Sequence, residues 1–290
     1  MPDAIPANPR PASTVVLLRD SDVGPQVFMV RRHEGTAFMG GAHVFPGGRV
    51  DPADHDGSDM WCDGVSFATN QLQTLDPVEA IAYHVAAARE LFEESGVLIA
   101  RDSRGETMSL TDAATQARFT RYRSEIHDGR DTLRGVIERE GLRLALDALA
   151  LFAHWVTPPI DTRQFDTRFF LATVPPGQTP VHDQTETTHS TWLTPSAAID
   201  QAIRGCIVLP PPTWTTLREL ERFRSAESAH AWARTRQIIR RQPKLVETDG
   251  RRMLLLPGDE RYPEATDPER PAETCFVFAD KRWRPEPRRT

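Results

Sequence analysis

Apolar positions are unevenly spread along this chain, and their spacing divides it into segments. Val15–Arg19 and Val27–Arg32 are short apolar runs joined by Asp20-Ser21-Asp22-Val23-Gly24-Pro25, a pattern that predicts a strand, a turn and a strand. From Asp76-Pro77 the period changes to that of a helix. Asp76 is placed as N-cap, Pro77 as first helical residue and Gly96 as C-cap, with Ala80, Tyr83, Ala87, Ala88 and Leu91 between them. Two more helices are expected at Thr111–Glu125 and Asp131–Ala150, separated by His127-Asp128-Gly129. Leu151–Val156 and Arg163–Val174 read as strands, the first stopped by Pro158-Pro159, and the aromatic residues of the second as core. Thr194-Pro195 caps a helix closed by Gly205; the Pro210–Pro212 run then leads to helices over Trp214–Phe223 and Ala226–Arg240 and to strands at Arg252–Leu256 and Cys275–Phe278.

The helix that begins at Pro77 ends in Arg89-Glu90-Leu91-Phe92-Glu93-Glu94-Ser95-Gly96-Val97. Residues three and four apart share a helix face, so Glu90, Glu93 and Glu94 gather in one patch whose charges repel by a few tenths of a kcal/mol per pair. Such a patch calls for a neutralising partner, most simply a hard divalent cation; without further context it would be a solvated acidic face. The context is Gly40-Gly41-Ala42-His43-Val44-Phe45-Pro46-Gly47-Gly48-Arg49-Val50-Asp51-Pro52, a glycine-rich loop of the kind that lets an anionic ligand approach backbone.

Together the loop and the helix resemble the Nudix hydrolases, whose signature runs Gly, five residues, Glu, seven residues, then Arg-Glu-apolar-x-Glu-Glu-x-Gly-apolar. Arg89–Val97 matches the second half throughout. Gly48 matches the first half, with Asp54 where the family carries Glu, and extra residues from about His55 to Val78 separate the halves. The run from Arg31-Arg32 through Phe38-Met39-Gly40-Gly41 to Gly48 is similar to the subfamily containing the peroxisomal coenzyme A diphosphatase, which carries a long insertion at this point.

The resemblance implies an α/β (α+β) Nudix fold, a mixed β-sheet sandwiched between helices, with helical insertions and a C-terminal extension. On that reading residues 1–12 are a disordered N-terminus, 13–205 the Nudix domain with insertions at about 55–78 and 101–150, and 206–290 a helix-and-strand extension packed on the core. The Asp- and Gly-rich stretch from Asp56 to Gly64 predicts that the first insertion is a surface excursion. The resemblance implies that Glu93 and Glu94 bind Mg2+ or Mn2+, that Glu90 ligates or orients, and that Arg89 pairs with a carboxylate, for which Asp54 is the candidate. Gly96 ends the helix. Arg31, Arg32, Gly47 and Gly48 are candidates to meet substrate phosphates, and Glu90 and Glu186 both stand as general-base candidates. His189 reads as structural.

The expected reaction is hydrolysis of the diphosphate of coenzyme A or acyl-CoA, with NADH or ADP-ribose as the next substrate class and a non-catalytic Nudix-fold binding protein as the alternative. The remaining composition narrows the partners. A net charge of −6 leaves no overall basic footprint for nucleic acid, and nearly all cations are arginine, with lysine only at Lys244 and Lys281. Cys62, Cys206 and Cys275 form no C-x-x-C pair, which suggests a reducing compartment and no zinc site. No apolar run is long enough for a membrane span, and the end Pro287-Arg288-Arg289-Thr290 is not a Ser-Lys-Leu peroxisomal address. A cytoplasmic enzyme acting on a small molecule is therefore expected, with homodimer formation left open.

Overall fold

The computed structural model describes residues 8–35, 39–159, 163–183, 185–262, 267, 271–280 and 282–286. Phe38 of the loop signature, most of the N-terminal segment and the last four residues lie outside them.

A mixed sheet of eight strands forms the centre. Its path runs β10 (Thr187–Leu193), β2 (Gln26–Arg32), β1 (Arg10–Arg19), β9 (Phe165–Thr173), β8 (Ala150–Val156) and β11 (Arg240–Arg241), with β3 (His43–Val44) added to β2 and β4 (Gly47–Arg49) to β1. β1 and β9 are parallel over nine register pairs, Arg10↔Phe165 to Leu18↔Thr173, while β2 and β4 run antiparallel to β1. Strand alternation puts successive residues on opposite faces, so this sheet has two apolar faces. Val15, Leu17, Phe28, Val30 and Phe170 pack under α2 (Pro77–Ser95), whereas Val16, Leu18, Met29, Phe169 and Leu171 pack against α5 (Pro195–Ile203), α6 (Pro211–Leu220) and α7 (Ala226–Ala233). This is the two-sided layering expected of the fold. Arg10–Ala12 belong to β1, so the N-terminal disorder expected through residue 12 is corrected: pairing with β9 holds those residues in the sheet.

Both insertions differ from expectation, for one reason. Residues 55–78 are not a surface excursion: Trp61, Cys62, Ala68 and Leu72 are buried in the core beneath α2. The polar residues form the turns, and α1 (Val65–Gln71) carries the apolar ones inward. In the second insertion α3 (Ala113–His127) and α4 (Leu133–Arg139) form, but Gly141 at φ 64 ends α4. β7 (Arg143–Ala145) follows, where helix was expected through Ala150. β7 pairs with β5 (Cys62–Asp63) and β6 (Ala100–Arg101), so the two insertions knit into one three-stranded sheet. The last helix is also short, ending at Ala233. Beyond it β12 (Lys244–Thr248), β13 (Arg251–Leu255), β14 (Cys275–Ala279) and β15 (Arg282–Pro285) make a four-stranded antiparallel sheet, two of whose strands were not foreseen. Leu254, Leu256 and Phe276 join this segment to the α5–α7 side of the core. No helix among the described residues is long and apolar enough to cross a membrane.

On α2, His84 is fully buried, its ring 4.5 Å from Phe170 and its Nε2 without a partner. Burial pushes its pKa from 6.5 down to about 4, against a weaker upward pull from the Ala80 carbonyl. A histidine whose pKa falls on folding contributes stability that is present above the unfolded value and is lost as pH falls through the folded one. On the order of 3 kcal/mol should therefore disappear between pH 6.5 and about 4. Denaturant melts of His84→Phe should show a shallower loss than wild type across that window; parallel curves would assign the acid sensitivity elsewhere.

Candidate active site

The end of α2 and the glycine loop meet at the edge of β1. Asp76 accepts from the Val78 N–H and starts the helix, and Gly96, at φ 74, ends it by donating its N–H to the Phe92 carbonyl. In the last two turns Arg89 is buried and all three guanidinium nitrogens are committed. Its Nε and Nη2 grip Asp54 bidentately at 2.9 Å each; Nη1 reaches Glu90 and Glu93, both at 2.9 Å, and Nη2 also donates to the Arg49 carbonyl at 2.7 Å. Asp51 lies 3.8 Å away. Asp54, only 2 % exposed, sits in the 3-10 turn Pro52–Asp56 and also accepts from the Asp51 N–H. Burial alone would weaken the hold of Arg89 on its proton, but the hydrogen bonds it donates to Asp54 and the charges of Glu90, Asp54 and Glu93 overcome it and raise its pKa.

The glycines serve these carboxylates. The Gly47 N–H donates to Glu94 Oε2 at 3.0 Å, and a Cβ on Gly48 would stand 2.4 Å from Glu90 Oε1. The loop was read as a seat for an anionic ligand; here Glu90 and Glu94 take the close approach that missing side chains allow. A methyl group at Gly48 meets only the mobile end of Glu90, while one at Gly47 meets Ser13 O at 2.4 Å and Thr14 Cα at 2.7 Å, which are fixed backbone. Gly48→Ala is thus expected to keep its melting temperature within a few degrees and lose activity tenfold or more, whereas Gly47→Ala should unfold early. Thermal melts beside initial rates check this, and equal melting losses in both variants would refute it.

Four carboxylates, Asp51, Asp54, Glu90 and Glu93, therefore surround one guanidinium, and Glu94 lies beside them against the Gly47 N–H. Burial raises the Glu90 pKa to about 7, aided by the charge of Glu93 and opposed by Arg89. Burial, and then the charge of Glu90, raises Glu94 well above the usual carboxylate range. Carboxylates held in so little water with so little positive charge suit a hard divalent cation, so the donor set fits one. Among the described residues no three acidic, histidine or cysteine side chains are grouped so as to hold a metal ion as they stand: Glu90 and Glu93 are turned to Arg89, and Glu94 accepts from Gly47.

A cleft of about 630 Å3 opens over this cluster, and Arg32, Gly47, Gly48, Arg89, Glu90, Glu93 and Glu186 all line it. Arg32 Nε is buried without a hydrogen-bond partner, and its charge is felt at Glu94. Arg31 is not brought to the cleft. Neighbouring strand residues face opposite ways, and Arg31 pairs with Glu34 at 2.6 Å instead. Glu186 is exposed in the turn before β10, its carbonyl accepting from the His33 N–H, and its charge also bears on Glu94. His189 is exposed on β10 opposite Arg31.

Sequence reasoning missed Asp51, Arg123, whose Nε donates to the Glu93 carbonyl at 2.7 Å, and His127, which lines the cleft one helical turn further on. It also missed Trp155, Leu254 and Trp283, which line the cleft from far along the chain. The two buried thiols add no nucleophile: burial pushes Cys62 up to about 12 and Cys275 to about 11.

A family model for the NUDT19 Nudix domain matches residues 63–222, more than half of the chain and all of α2. Human acyl-coenzyme A diphosphatase NUDT19 is 31% identical over 283 residues, covering 84% of this chain and 74% of the relative. The Xenopus laevis protein of the same name is 26% identical over 279 residues, covering 83% and 72%. Among solved structures, a NUDIX hydrolase from Alicyclobacillus acidocaldarius superposes with a TM-score of 0.63 at 27% identity, over 77% of this chain and 96% of that one. With the glycine loop, the Arg89–Asp54 pair and the carboxylate face of α2 in one cleft, these matches place the chain in the NUDT19 family of Nudix hydrolases.

Proposed function

We propose that this enzyme hydrolyses the diphosphate of coenzyme A or acyl-CoA, releasing 4′-phosphopantetheine or its acylated form and adenosine 3′,5′-bisphosphate, with Mg2+ or Mn2+ as cofactor. The observation that carries this reading is the cluster of carboxylates, Glu90 and Glu93 lining the cleft and Glu94 buried behind Gly47, in a chain whose relatives are named acyl-coenzyme A diphosphatases.

Glu93 and Glu94 would hold the cation, with Glu90 ligating or orienting beside them. Bound there, it would neutralise diphosphate oxygens and lower the pKa of a coordinated water. The rest of the chemistry falls to the chain itself. Arg89 holds Glu90 and Glu93 in place and is held by Asp54. Arg32, with an unsatisfied buried Nε, supplies positive charge for a substrate phosphate. The proton of the attacking water goes to a carboxylate, Glu186 or Glu90. Glu186 is favoured because it is exposed at the cleft, whereas Glu90 is bound to Arg89. No covalent intermediate is required.

Purified protein assayed with Mg2+ and with Mn2+ against CoA, acyl-CoA esters, NADH, ADP-ribose and diadenosine polyphosphates tests the assignment. The highest kcat/KM should fall on a CoA species and vanish with EDTA. A preference for ADP-ribose over every CoA species would overturn it.

A further inference from the structure

The cleft has two chemically different ends. At one lie Glu90, Glu93, Glu186 and Arg32; away from it the lining is Trp155, Phe165, Phe169, Leu254 and Trp283. Strand register orients this apolar strip. Thr14 pairs with Gly47 on one side and with Phe169 on the other, so Phe169 stands beside the glycine loop. Phe165, Thr167 and Phe169 lie on one face of β9, and Phe165 is about 13 Å further along the strand at the usual rise per residue. Trp155 faces Thr167 from β8. Leu254 of β13 and Trp283 of β15 wall the strip from the C-terminal sheet, beyond the span matched by the family model. The polar groups on this stretch are the hydroxyls of Thr157, Thr167 and Thr213, the indole N–H groups of Trp155 and Trp283, and Arg163. That set is poor for reading the several donors and acceptors of a purine edge and well suited to an alkyl chain.

We propose that this strip receives the acyl chain of an acyl-thioester substrate, and that Leu254 and Trp283 make the C-terminal sheet the element that sets chain-length preference. The inference rests on the CoA diphosphatase reading above. It is carried by the continuity of the apolar strip with the carboxylate cluster in a single cleft: a diphosphate held at the acidic end leaves the pantetheine arm, and the acyl chain beyond its thioester, to run along the strip.

The test compares kcat/KM for CoA and for butanoyl-, octanoyl- and dodecanoyl-CoA in wild type, Trp283→Ala and Thr167→Trp. Calorimetric binding of CoA and dodecanoyl-CoA to Glu93→Gln and to Glu93→Gln/Trp283→Ala is measured alongside. Wild type should gain up to about fourfold per methylene that is buried. Removing the wall or filling the floor should each cut the dodecanoyl-to-CoA ratio tenfold or more. The ratio is indifferent to how much of a variant folds, since both substrates meet the same folded population. CoA species cleaved with an unaltered ratio in both variants would sink the acyl acceptor and leave the diphosphatase reading standing. Absence of all CoA cleavage in wild type would sink that reading instead, and binding then decides the strip. Tighter binding of dodecanoyl-CoA than CoA that is lost with Trp283→Ala supports it, and equal binding overturns it.

Discussion

Glu93→Gln and Glu94→Gln should each lower cation-dependent hydrolysis about a thousandfold, because a metal that polarises phosphoryl oxygens is worth several kcal/mol of transition-state stabilisation and ~4 kcal/mol is a factor near that size. The amide keeps the shape of the side chain and removes the negative charge the cation needs. The two variants should not lose stability in proportion. Glu94 is buried, and both burial and the nearby Glu90 make its ionised form costly, so the neutral amide should leave the melting temperature of the metal-free protein unchanged or raise it. Rates under saturating Mg2+, cation titrations by calorimetry and thermal melts separate the possibilities. Loss of rate together with loss of cation affinity supports ligation, loss of rate alone points to orientation, and full activity in both variants would remove the site from α2. Glu186→Gln provides the contrast. As a proton acceptor it should lose kcat while keeping cation affinity.

What could be read in the sequence follows from what is local. The α2 termini were legible because Asp76, Pro77 and Gly96 act within a turn of themselves, and the grouping of Glu90, Glu93 and Glu94 follows from helical pitch alone. Asp54 could be singled out only through the resemblance, since no spacing rule predicts that a 3-10 turn will set it against a helix 35 residues away. The first insertion was misread because turn-forming Asp and Gly residues dominate its composition, whereas four buried apolar positions decide its location. β12 and β15 went unseen because their stabilisation lies in cross-strand pairing; Lys244–Thr248 sets Leu245 beside Val246 without alternation, and Arg282–Pro285 alternates over only four positions, too few to mark a strand. For the same reason Trp283 gave no sign of its place in the cleft, which depends on a sheet whose partners are distant in sequence. Arg31 and Arg32 were indistinguishable until pairing with β10 fixed which of the two faces the cleft.

Arg89→Lys should be the most damaging to stability among substitutions of the site's charged side chains. Arginine meets four side-chain and backbone groups here through a planar fork: two oxygens of Asp54, Glu90, Glu93 and the Arg49 carbonyl are all satisfied at 2.7 to 2.9 Å. An ammonium group keeps the charge but offers three donors from one point, so it cannot span Asp54 on one side and the two glutamates on the other. Asp54, 2 % exposed, would then be left as a buried carboxylate without its partner, a loss of about 3–5 kcal/mol. For a chain of this size that corresponds to a fall in melting temperature of roughly 5–8 °C. Lengthening the partner instead, in Asp54→Glu, keeps the pair and adds one methylene to a packed position, a cost of about 1–3 kcal/mol from overpacking. The order of melting temperatures is therefore wild type, then Asp54→Glu, then Arg89→Lys, with activity following the same order because Glu90 and Glu93 drift when the guanidinium that holds them is gone. Calorimetric melts of the three proteins without cation decide it: if Arg89→Lys melts with wild type, the pair with Asp54 contributes charge to the cluster but does not fasten the first insertion to α2.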